Sequence, residues 1–195
     1  MKIGIFGGSF NPPHKMHINI GEELIKQGYL DKIIFVPTGI KYKYKSNLLP
    51  NENRFDMLKI LTQKNKNFSV SNYEFNDNVV YTCETLDYFK NKYLKDEIFF
   101  ICGADNLSYI DKWKNGEEIL KNYKIIVIAR NTDNLESILK KYSKYNDNIL
   151  VARIPPYDLS STEIRKLISD GEYHLLDKYL DCDIIDYIIE NNLYM

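Results

Sequence analysis

The sequence predicts an α/β protein in which a doubly wound parallel sheet is followed by a helical C-terminal part. Short apolar runs alternate with longer amphipathic stretches, which is typical of strand–helix alternation. The runs at 97–102 and 124–129 are apolar throughout, as expected for strands that helices cover on both faces. After residue 155 only helical patterns remain. Together these three observations favour a parallel sheet.

The individual elements follow from the same patterns. Each predicted strand is a short run of β-branched, aromatic or other apolar residues, and these runs cover 2–6, 31–37, 97–102, 124–129 and 148–154. The predicted helices have apolar residues at helical spacing, and they cover 15–27, 52–64, 82–93, 116–122, 134–144, 160–171 and 183–193. Asn-rich stretches between them are interpreted as turns.

Length and composition limit the class of protein. A chain of 195 residues suits a single domain, 1–195, with a core over 1–155 completed by C-terminal helices over 156–195. The net charge of −1, without a basic block, argues against nucleic-acid binding. The first residues lack both an 18-residue apolar stretch and a signal-peptide cleavage site, so we expect neither membrane insertion nor export and place the protein in the cytoplasm.

The three cysteines indicate neither disulfides nor zinc. Cys83, Cys102 and Cys182 are odd in number, widely spaced and without a C-x-x-C pair. Cys102 ends an apolar run, and we expect it to be a small buried hydrophobic residue.

The most informative stretch is "GGSFNPPHKMH" at 7–17, directly after the first strand. Two glycines permit a tight turn whose N–H groups can approach a phosphate. We expect Asn11 to be the N-cap of the next helix, with Pro12 and Pro13 at its first positions. His14 and His17 then fall in the first turn, on one face, and the pair predicts an anion site at a helix N-terminus.

An H-x-x-H pair is weak when taken alone, because two histidines fall three residues apart by chance often enough. The preceding strand, the glycines and the Asn-Pro-Pro sequence favour a functional interpretation. A zinc site lacks further Cys or carboxylate ligands nearby.

A second constellation is "DLSSTEIRKLI" at 158–168. Ser160 or Ser161 can cap a helix, and a capped surface helix explains the stretch taken alone. Arg165, one turn into that helix, favours a second polyphosphate-binding segment, because its guanidinium projects toward the same end as the hydroxyls. Arginine is scarce, and each of the four is a candidate phosphate or carboxylate ligand: Arg54, Arg130, Arg153 and Arg165.

With these residues in place the chain resembles a known family. "GIFGGSFNPPHxxH" together with "SSTxIR" is similar to the H-x-G-H nucleotidyltransferases, and within them to the bacterial nicotinate-nucleotide adenylyltransferases. Further similar segments, in the family's order, are "FVPTG" (35–39), "RFDMLKI" (54–60), "YTCETLDYF" (81–89), the Gly-x-Asp…Lys-Trp block (100–120), "IVIAR" (126–130) and the tail "YIIENNLY" (187–194).

The resemblance implies a Rossmann-like nucleotidyltransferase fold and transfer of AMP from ATP to nicotinic acid mononucleotide. Catalysis then consists of positioning and charge stabilisation, with His14, His17 and Arg165 as the catalytic residues. It further implies ATP contacts from the turn, the fourth strand end and the C-terminal helix: Gly8, Ser9, Phe10, Gly103, Asp105, Ser161, Thr162 and Arg165. Mg²⁺ would be held by ATP phosphates with no protein ligand.

For the acceptor the resemblance implies Thr85 and Trp113, with Trp113 stacking on the pyridine ring. Each also has a structural alternative, Thr85 as a helix cap and Trp113 as a buried anchor. Arg130 is either near the adenine or a surface charge at a strand end, and Asp105 is also a candidate helix cap. Lys43 and Lys45, in a loop that departs from the family pattern, are candidate ligands of the mononucleotide phosphate, the alternative being a solvated basic loop.

One further departure stands inside the histidine motif, where Met16 replaces the usual glycine. Met16 either crowds the nucleotide or packs behind it. The alternatives in function are a related adenylyltransferase with nicotinamide mononucleotide or pantetheine phosphate as acceptor, or a nucleotide-binding sensor without turnover. The expected partners are therefore small molecules, not nucleic acid or membrane, and a homo-oligomer is compatible with the sequence.

Overall fold

The computed structural model describes residues 1–41, 47–129, 134–155 and 160–195. Lys43, Lys45 and Arg130 lie outside these ranges. The described strands form one parallel sheet in the order β3-β2-β1-β4-β5-β6. Their bounds are β1 Lys2–Gly8, β2 Lys32–Pro37, β3 Phe68–Val70, β4 Glu97–Gly103, β5 Lys124–Ile128 and β6 Ile149–Ala152.

Helices connect the strands and form the C-terminal part. The α-helices are α1 Lys15–Lys26, α2 Asn51–Thr62, α3 Thr82–Lys92, α4 Ala104–Leu107, α5 Gly116–Asn122, α6 Leu135–Lys141, α7 Ser161–Ser169 and α8 Cys182–Glu190. Short 3₁₀ helices cover Ile110–Lys112, Ser143–Asn148 and Tyr173–Lys178. Within the described ranges, none of the helices is both long and apolar enough to cross a bilayer.

The parallel α/β sheet predicted from the sequence is confirmed, and one strand was missed. β3 has three residues, too few to show a periodic pattern, and it pairs with β2 at the sheet edge. The predicted strands and helices appear with ends shifted by a few residues, except that strand 148–154 and helix 134–144 are shorter than expected.

The two faces of the sheet carry separate apolar clusters, which is the doubly wound arrangement. Ile34 and Phe100 face a cluster with α3 and α5, whereas Phe35 and Ile101 face a cluster with α1 and α2. Cys102 is buried in the first cluster as predicted, and burial raises the pKa of its thiol. Alternating side chains of each central strand therefore enter opposite clusters.

The C-terminal helices pack against α2 instead of the sheet. Met57 and Leu61 of α2 are buried with Ile164 and Ile168 of α7, and with Ile184 of α8. This third cluster attaches the C-terminal part beside the carboxyl end of the sheet. The strand order reverses between β1 and β4, and ligands of such sheets bind at the carboxyl ends of the strands at this reversal.

Candidate active site

A cavity of about 490 Å³ opens at the carboxyl ends of β1 and β4. It lies between the turn after β1 and the start of α7. All the described residues predicted as ligands line it: Gly8, Ser9, Phe10, His14, His17, Thr85, Gly103, Asp105, Trp113, Ser161, Thr162 and Arg165. The structure thus gathers residues from distant parts of the chain into one cavity.

The turn after β1 is shaped by Phe10. Its φ of 46° lies in the left-handed region, which a bulky residue rarely adopts. The ring is buried among Phe6 and Phe35. A Cβ on Gly8 would lie 3.1 Å from this ring, so the glycine allows the turn to close over it. The ATP contact predicted for Phe10 would come from its main chain, because its side chain belongs to the core.

The helix α1 begins at residue 15, as its apolar pattern predicts, but its predicted N-cap is wrong. Asn11 is not the N-cap, and Pro12 and Pro13 precede the helix, which begins at Lys15 with His14 as its N-cap. The main-chain N–H of Lys15 donates to the carbonyl of Tyr179 at 3.0 Å. Asn-Pro-Pro suits a helix start equally well in isolation, and contacts from other parts of the chain decide the outcome.

Asn11 instead joins three segments through its buried side chain. Its Oδ1 accepts hydrogen bonds from the main-chain N–H of Leu49 (3.2 Å) and from the hydroxyl of Tyr194 (2.9 Å). Its Nδ2 donates to the carbonyl of Asn47 at 2.9 Å. The asparagine therefore ties the turn to the next loop and to the C-terminal tail, and sequence reasoning missed this role.

The two histidines stack on each other at the start of α1. Their ring centroids are 3.7 Å apart with an interplanar angle of 29°. The main-chain N–H of His14 donates to Nδ1 of His17 at 3.1 Å. Because Nδ1 accepts this bond, Nε2 of His17 carries the ring proton and is its donor atom. His14 is buried, and the His17 ring lies edge-on to Phe10.

Arg54 supports the turn from behind and is fully buried. Its NH1 donates to the carbonyl of Ser9 (2.9 Å), its Nε to the carbonyl of Leu49 (3.0 Å) and its NH2 to Oδ1 of Asn51 (2.7 Å). Burial lowers the pKa of the guanidinium. Arg54 is thus a structural cation and not one of the phosphate ligands we had considered.

The start of α7 is docked on the same turn. Ser160 is the N-cap, and it forms a capping box with Glu163. The Ser161 hydroxyl donates to the carbonyl of Pro12 at 3.0 Å. Arg165 donates from NH1 to the carbonyl of Asn11 (2.8 Å) and from NH2 to the hydroxyl of Thr162 (3.2 Å). The two constellations found in the sequence are in direct contact.

Gly103 and Asp105 follow β4 on the cavity wall. A Cβ on Gly103 would lie 2.2 Å from Oδ1 of Asp105, so a larger residue there would displace the Asp105 carboxylate from its present position. Asp105 is exposed, and the N-cap of α4 is Gly103 without a side-chain bond. The alternative role of Asp105 as a helix cap is therefore wrong.

Thr85 and Trp113 lie at another part of the cavity. Trp113 is half-buried, edge-on to Phe100 and Tyr109. Thr85 is buried and is not a helix cap, since Tyr81 is the N-cap of α3.

The Thr85 hydroxyl donates to Oε1 of Glu74 at 2.8 Å. Glu74 is a cavity residue that sequence reasoning missed. Burial raises the pKa of its carboxyl to about 7, and the Thr85 hydrogen bond and the Arg54 charge oppose that rise.

Met16 packs along an apolar wall. Its side chain is half-buried against the cluster that contains Phe10, Ile128 and Ile154, and it also lines the cavity. Whether Met16 crowds the nucleotide or packs behind it therefore stays a prediction, since its side chain meets both the apolar wall and the cavity.

Two other features lie apart from this constellation. In the part of the chain that the structure describes, one group of three metal-ligating side chains is found, Asp181, Cys182 and Asp183. Lys64 forms ion pairs with both of its carboxylates at 2.8 Å. A second cavity, of about 660 Å³, has mainly apolar residues of β6 and α6 along its walls.

Comparison with known proteins agrees with this geometry. Residues 5–167 match the family described as cytidylyltransferase-like. A protein of Carboxydothermus hydrogenoformans named "probable nicotinate-nucleotide adenylyltransferase" is 38% identical over 99% of this chain and 98% of its own. A protein of Clostridium acetobutylicum with the same name is 38% identical over 100% of this chain and 99% of its own.

Solved structures give the same result. The nicotinic acid mononucleotide adenylyltransferase of Plasmodium falciparum, complexed with NaAD, superposes with a TM-score of 0.82 at 25% identity, covering 99% of this chain and 97% of that one. A structure described as a Vibrio parahaemolyticus nicotinate-nucleotide adenylyltransferase has a TM-score of 0.69 at 20% identity, which supports the fold alone.

The parallel sheet, the glycine turn with its paired histidines and the docked Ser-Ser-Thr helix define a nucleotidyltransferase of the cytidylyltransferase-like class. Within that class, the chain belongs to the nicotinate-nucleotide adenylyltransferase family.

Proposed function

We propose that this cavity transfers AMP from ATP to the 5′-phosphate of nicotinic acid mononucleotide, which gives nicotinic acid adenine dinucleotide and pyrophosphate. The observation that carries the proposal is the contact between the two phosphate-binding segments, Arg165 to Asn11 and Ser161 to Pro12. It brings paired imidazoles and a guanidinium to one cavity at the switch point of the sheet.

The reaction needs little covalent help. An oxygen of the acceptor phosphate attacks the α-phosphorus of ATP, and the bond from that phosphorus to the bridging oxygen breaks to release pyrophosphate. The nucleophile is already an anion, so the protein has to align the groups and to stabilise charge on the leaving group. In our proposal His14, His17 and Arg165 bind phosphate oxygens, and Nε2–H of His17 is one donor.

Arg165 retains donors for this task. A guanidinium has five N–H groups, and the two bonds to Asn11 and Thr162 leave others for phosphate. The same two bonds fix its orientation, which lowers the entropy lost on binding. Gly8, Ser9 and Phe10 would supply main-chain contacts to the phosphates, and Ser161 and Thr162 would add hydroxyl contacts.

We assign each of the remaining cavity residues to one of the two nucleotide substrates. We assign the ribose of ATP to Gly103 and Asp105, because an exposed carboxylate accepts hydrogen bonds from sugar hydroxyls. Thr85 and Trp113 are assigned to the pyridine ring, and Lys43 and Lys45 stay predicted ligands of the acceptor phosphate.

Mg²⁺ would enter with ATP. The cavity presents imidazoles, hydroxyls and main-chain groups, and its two carboxylates, Glu74 and Asp105, belong to different elements. This donor set fits a cation that keeps its water and binds phosphate oxygens. Cytoplasmic location, the division of the domain at residue 155 and homo-oligomer formation stay predictions.

The test is pyrophosphate release from MgATP with three acceptors offered separately: nicotinic acid mononucleotide, nicotinamide mononucleotide and pantetheine phosphate. We expect the first to have the highest kcat/KM. A higher value for either other acceptor would overturn the substrate assignment. Binding of ATP with no release for any acceptor would support the sensor alternative instead.

A further inference from the structure

Glu74 is a half-buried titratable group that the mechanism above does not use. It follows β3 in the segment before α3, and its carboxyl lines the cavity with Thr85, Thr82 and Trp113. A carboxylate is unexpected at this place, because an acceptor whose ring bears a carboxylate would meet a second negative charge there.

The position of Glu74 is fixed by close packing. A Cβ on Gly39 would lie 2.1 Å from the main-chain carbonyl of Glu74, so the loop after β2 lies directly against this segment. The next residue, Phe75, contacts the ring of Phe55 and the Arg54 guanidinium. The main chain at Glu74 is therefore held between the loop after β2 and the contacts of Phe75, and its side chain reaches Thr85 from there.

The Glu74–Thr85 hydrogen bond has two possible directions. A threonine hydroxyl has one proton to donate and lone pairs to accept. When Glu74 is ionised, Thr85 donates to it and offers only its oxygen lone pairs to the cavity. When Glu74 is protonated, it can donate to the Thr85 oxygen, and the hydroxyl proton then turns either to a ligand or to the main-chain carbonyl of Tyr81, which lies 3.5 Å away. The protonation state of Glu74 thus determines whether the Thr85 hydroxyl donates a hydrogen bond to a ligand in the cavity or accepts one from it.

We propose that the Glu74–Thr85 pair sets the choice between a carboxylate and a carboxamide on the pyridine ring of the acceptor. The neutral pair donates to a ring carboxylate, and the ionised pair repels it and accepts from a carboxamide N–H. The proposal rests on the proposed function, since it assumes that the pyridine ring lies beside Thr85.

The surroundings of Glu74 favour a change in the protonation state of its carboxyl near neutral pH. Burial raises the pKa of its carboxyl to about 7, whereas Arg54 of α2 and the hydroxyl of Thr85 of α3 lower it. The guanidinium of Arg54 donates to two main-chain carbonyls and to Asn51. Among the described residues, Glu74 therefore has no direct ion pair with Arg54.

Other titratable groups near the pair have less effect on the pKa of Glu74. Tyr73 is adjacent in sequence, and Glu84 of α3 is engaged by Lys114. Asp105, His14 and His17 line the cavity on other elements. The loop after β2 contributes Gly39, which is uncharged, and Trp113 beyond α4 is uncharged too.

The test compares kcat/KM for nicotinic acid and nicotinamide mononucleotides between pH 6 and pH 8. Both acceptors carry the same phosphate and use the same ATP site, so the ratio cancels titration of those groups. The ring carboxylate is ionised throughout this range. With a pKa near 7, the neutral fraction of Glu74 falls about tenfold from pH 6 to pH 8 and its ionised fraction rises about tenfold, so the acid-to-amide ratio should fall by about tenfold or more as the pH rises.

Glu74→Gln keeps the size of the side chain and its ability to form hydrogen bonds, but it cannot ionise. We expect the acid-to-amide ratio of kcat/KM in this variant to be constant between pH 6 and pH 8. Thr85→Ser retains the hydroxyl and should retain the pH dependence. Glu118→Gln, at an exposed position of α5, is the matched control and should behave as the original chain. A pH-independent ratio in the original chain, or an unchanged slope in Glu74→Gln, would overturn the proposal.

A measurement without turnover tests the titration itself. A carboxyl whose pKa is raised in the folded state stabilises the fold less as the pH rises from its unfolded value through 7. The Tm of the Glu74→Gln variant minus that of the original chain should therefore increase from pH 5 to pH 8. A constant difference would show that Glu74 is ionised throughout and would sink the inference. Absence of turnover with both acceptors would instead refute the proposed function.

Discussion

The two ends of the cavity are built in different ways. At the phosphate end, the turn after β1 is fixed by side chains that bond to main-chain atoms, with Arg54 on Ser9 and Arg165 on Asn11. At the other end, a single half-buried carboxyl and a buried hydroxyl lie beside the ring of Trp113. The first end suits a charge present in every substrate, and the second suits discrimination between similar rings.

Because the two ends differ in this way, substitutions at one end should change the overall turnover and substitutions at the other should change the preference between acceptors. A donor at the phosphate end acts on ATP and should change turnover with every acceptor alike. A change at the ring end should alter the ratio between acceptors.

The largest expected effect is from His17→Ala, because it removes the Nε2 donor that we assign to a phosphate oxygen. Loss of one such donor costs about 10²–10³ in kcat. Both mononucleotides should be affected equally, as measured by pyrophosphate release, and the Tm should fall modestly because the main-chain N–H of His14 loses its acceptor. His174→Ala is the control, since this third histidine is exposed and pairs with Glu172. Rates near the original in His17→Ala would refute the assignment.

Arg54→Met tests whether the turn depends on the cation behind it. The variant leaves the partly buried carbonyls of Ser9 and Leu49 without their donors, and an unsatisfied buried group costs about 1–3 kcal/mol. We expect the free energy of unfolding in urea to fall by about 3 kcal/mol. Arg153→Met, at an exposed arginine, should change it little. Equal stabilities of the two variants would show that the buried bonds contribute nothing net.

The sequence predicted the sheet and the two segments that meet at the cavity because their signals are local. Apolar runs mark β1, β2, β4 and β5, and the glycine turn and the capped helix at Ser160 are recognisable in isolation. β3 was missed because three residues at a sheet edge give no pattern.

Glu74 and Asn11 were missed or misassigned for a different reason. Glu74 lies in an Asn-rich stretch that reads as a polar turn, and only tertiary packing raises the pKa of its carboxyl. Asn11 has the composition of an N-cap, but its side chain meets Leu49 and Tyr194, which are distant in sequence. Such contacts are properties of the folded chain.

Trp113→Ala probes the ring end. A stacked aromatic pair contributes about 0.5–1.5 kcal/mol beyond burial, so the KM of the mononucleotide should rise about 2- to 10-fold. The KM of ATP, measured in the same assays, should stay nearly constant. An equal increase for both substrates would indicate a general distortion of the cavity instead of lost stacking.

The smallest effect on turnover is expected from Met16→Gly, which restores the residue usual in the family. The Met16 side chain already lies against the cluster of Phe10, Ile128 and Ile154, so its removal should not raise kcat. A glycine in a helix costs about 1 kcal/mol relative to alanine, and lost burial adds to this, so the Tm should fall. Met16→Ala separates the two contributions, because it removes the side chain and keeps helix propensity. A large gain in kcat in both variants would show that Met16 obstructs the nucleotide and that the apolar wall does not accommodate it during turnover.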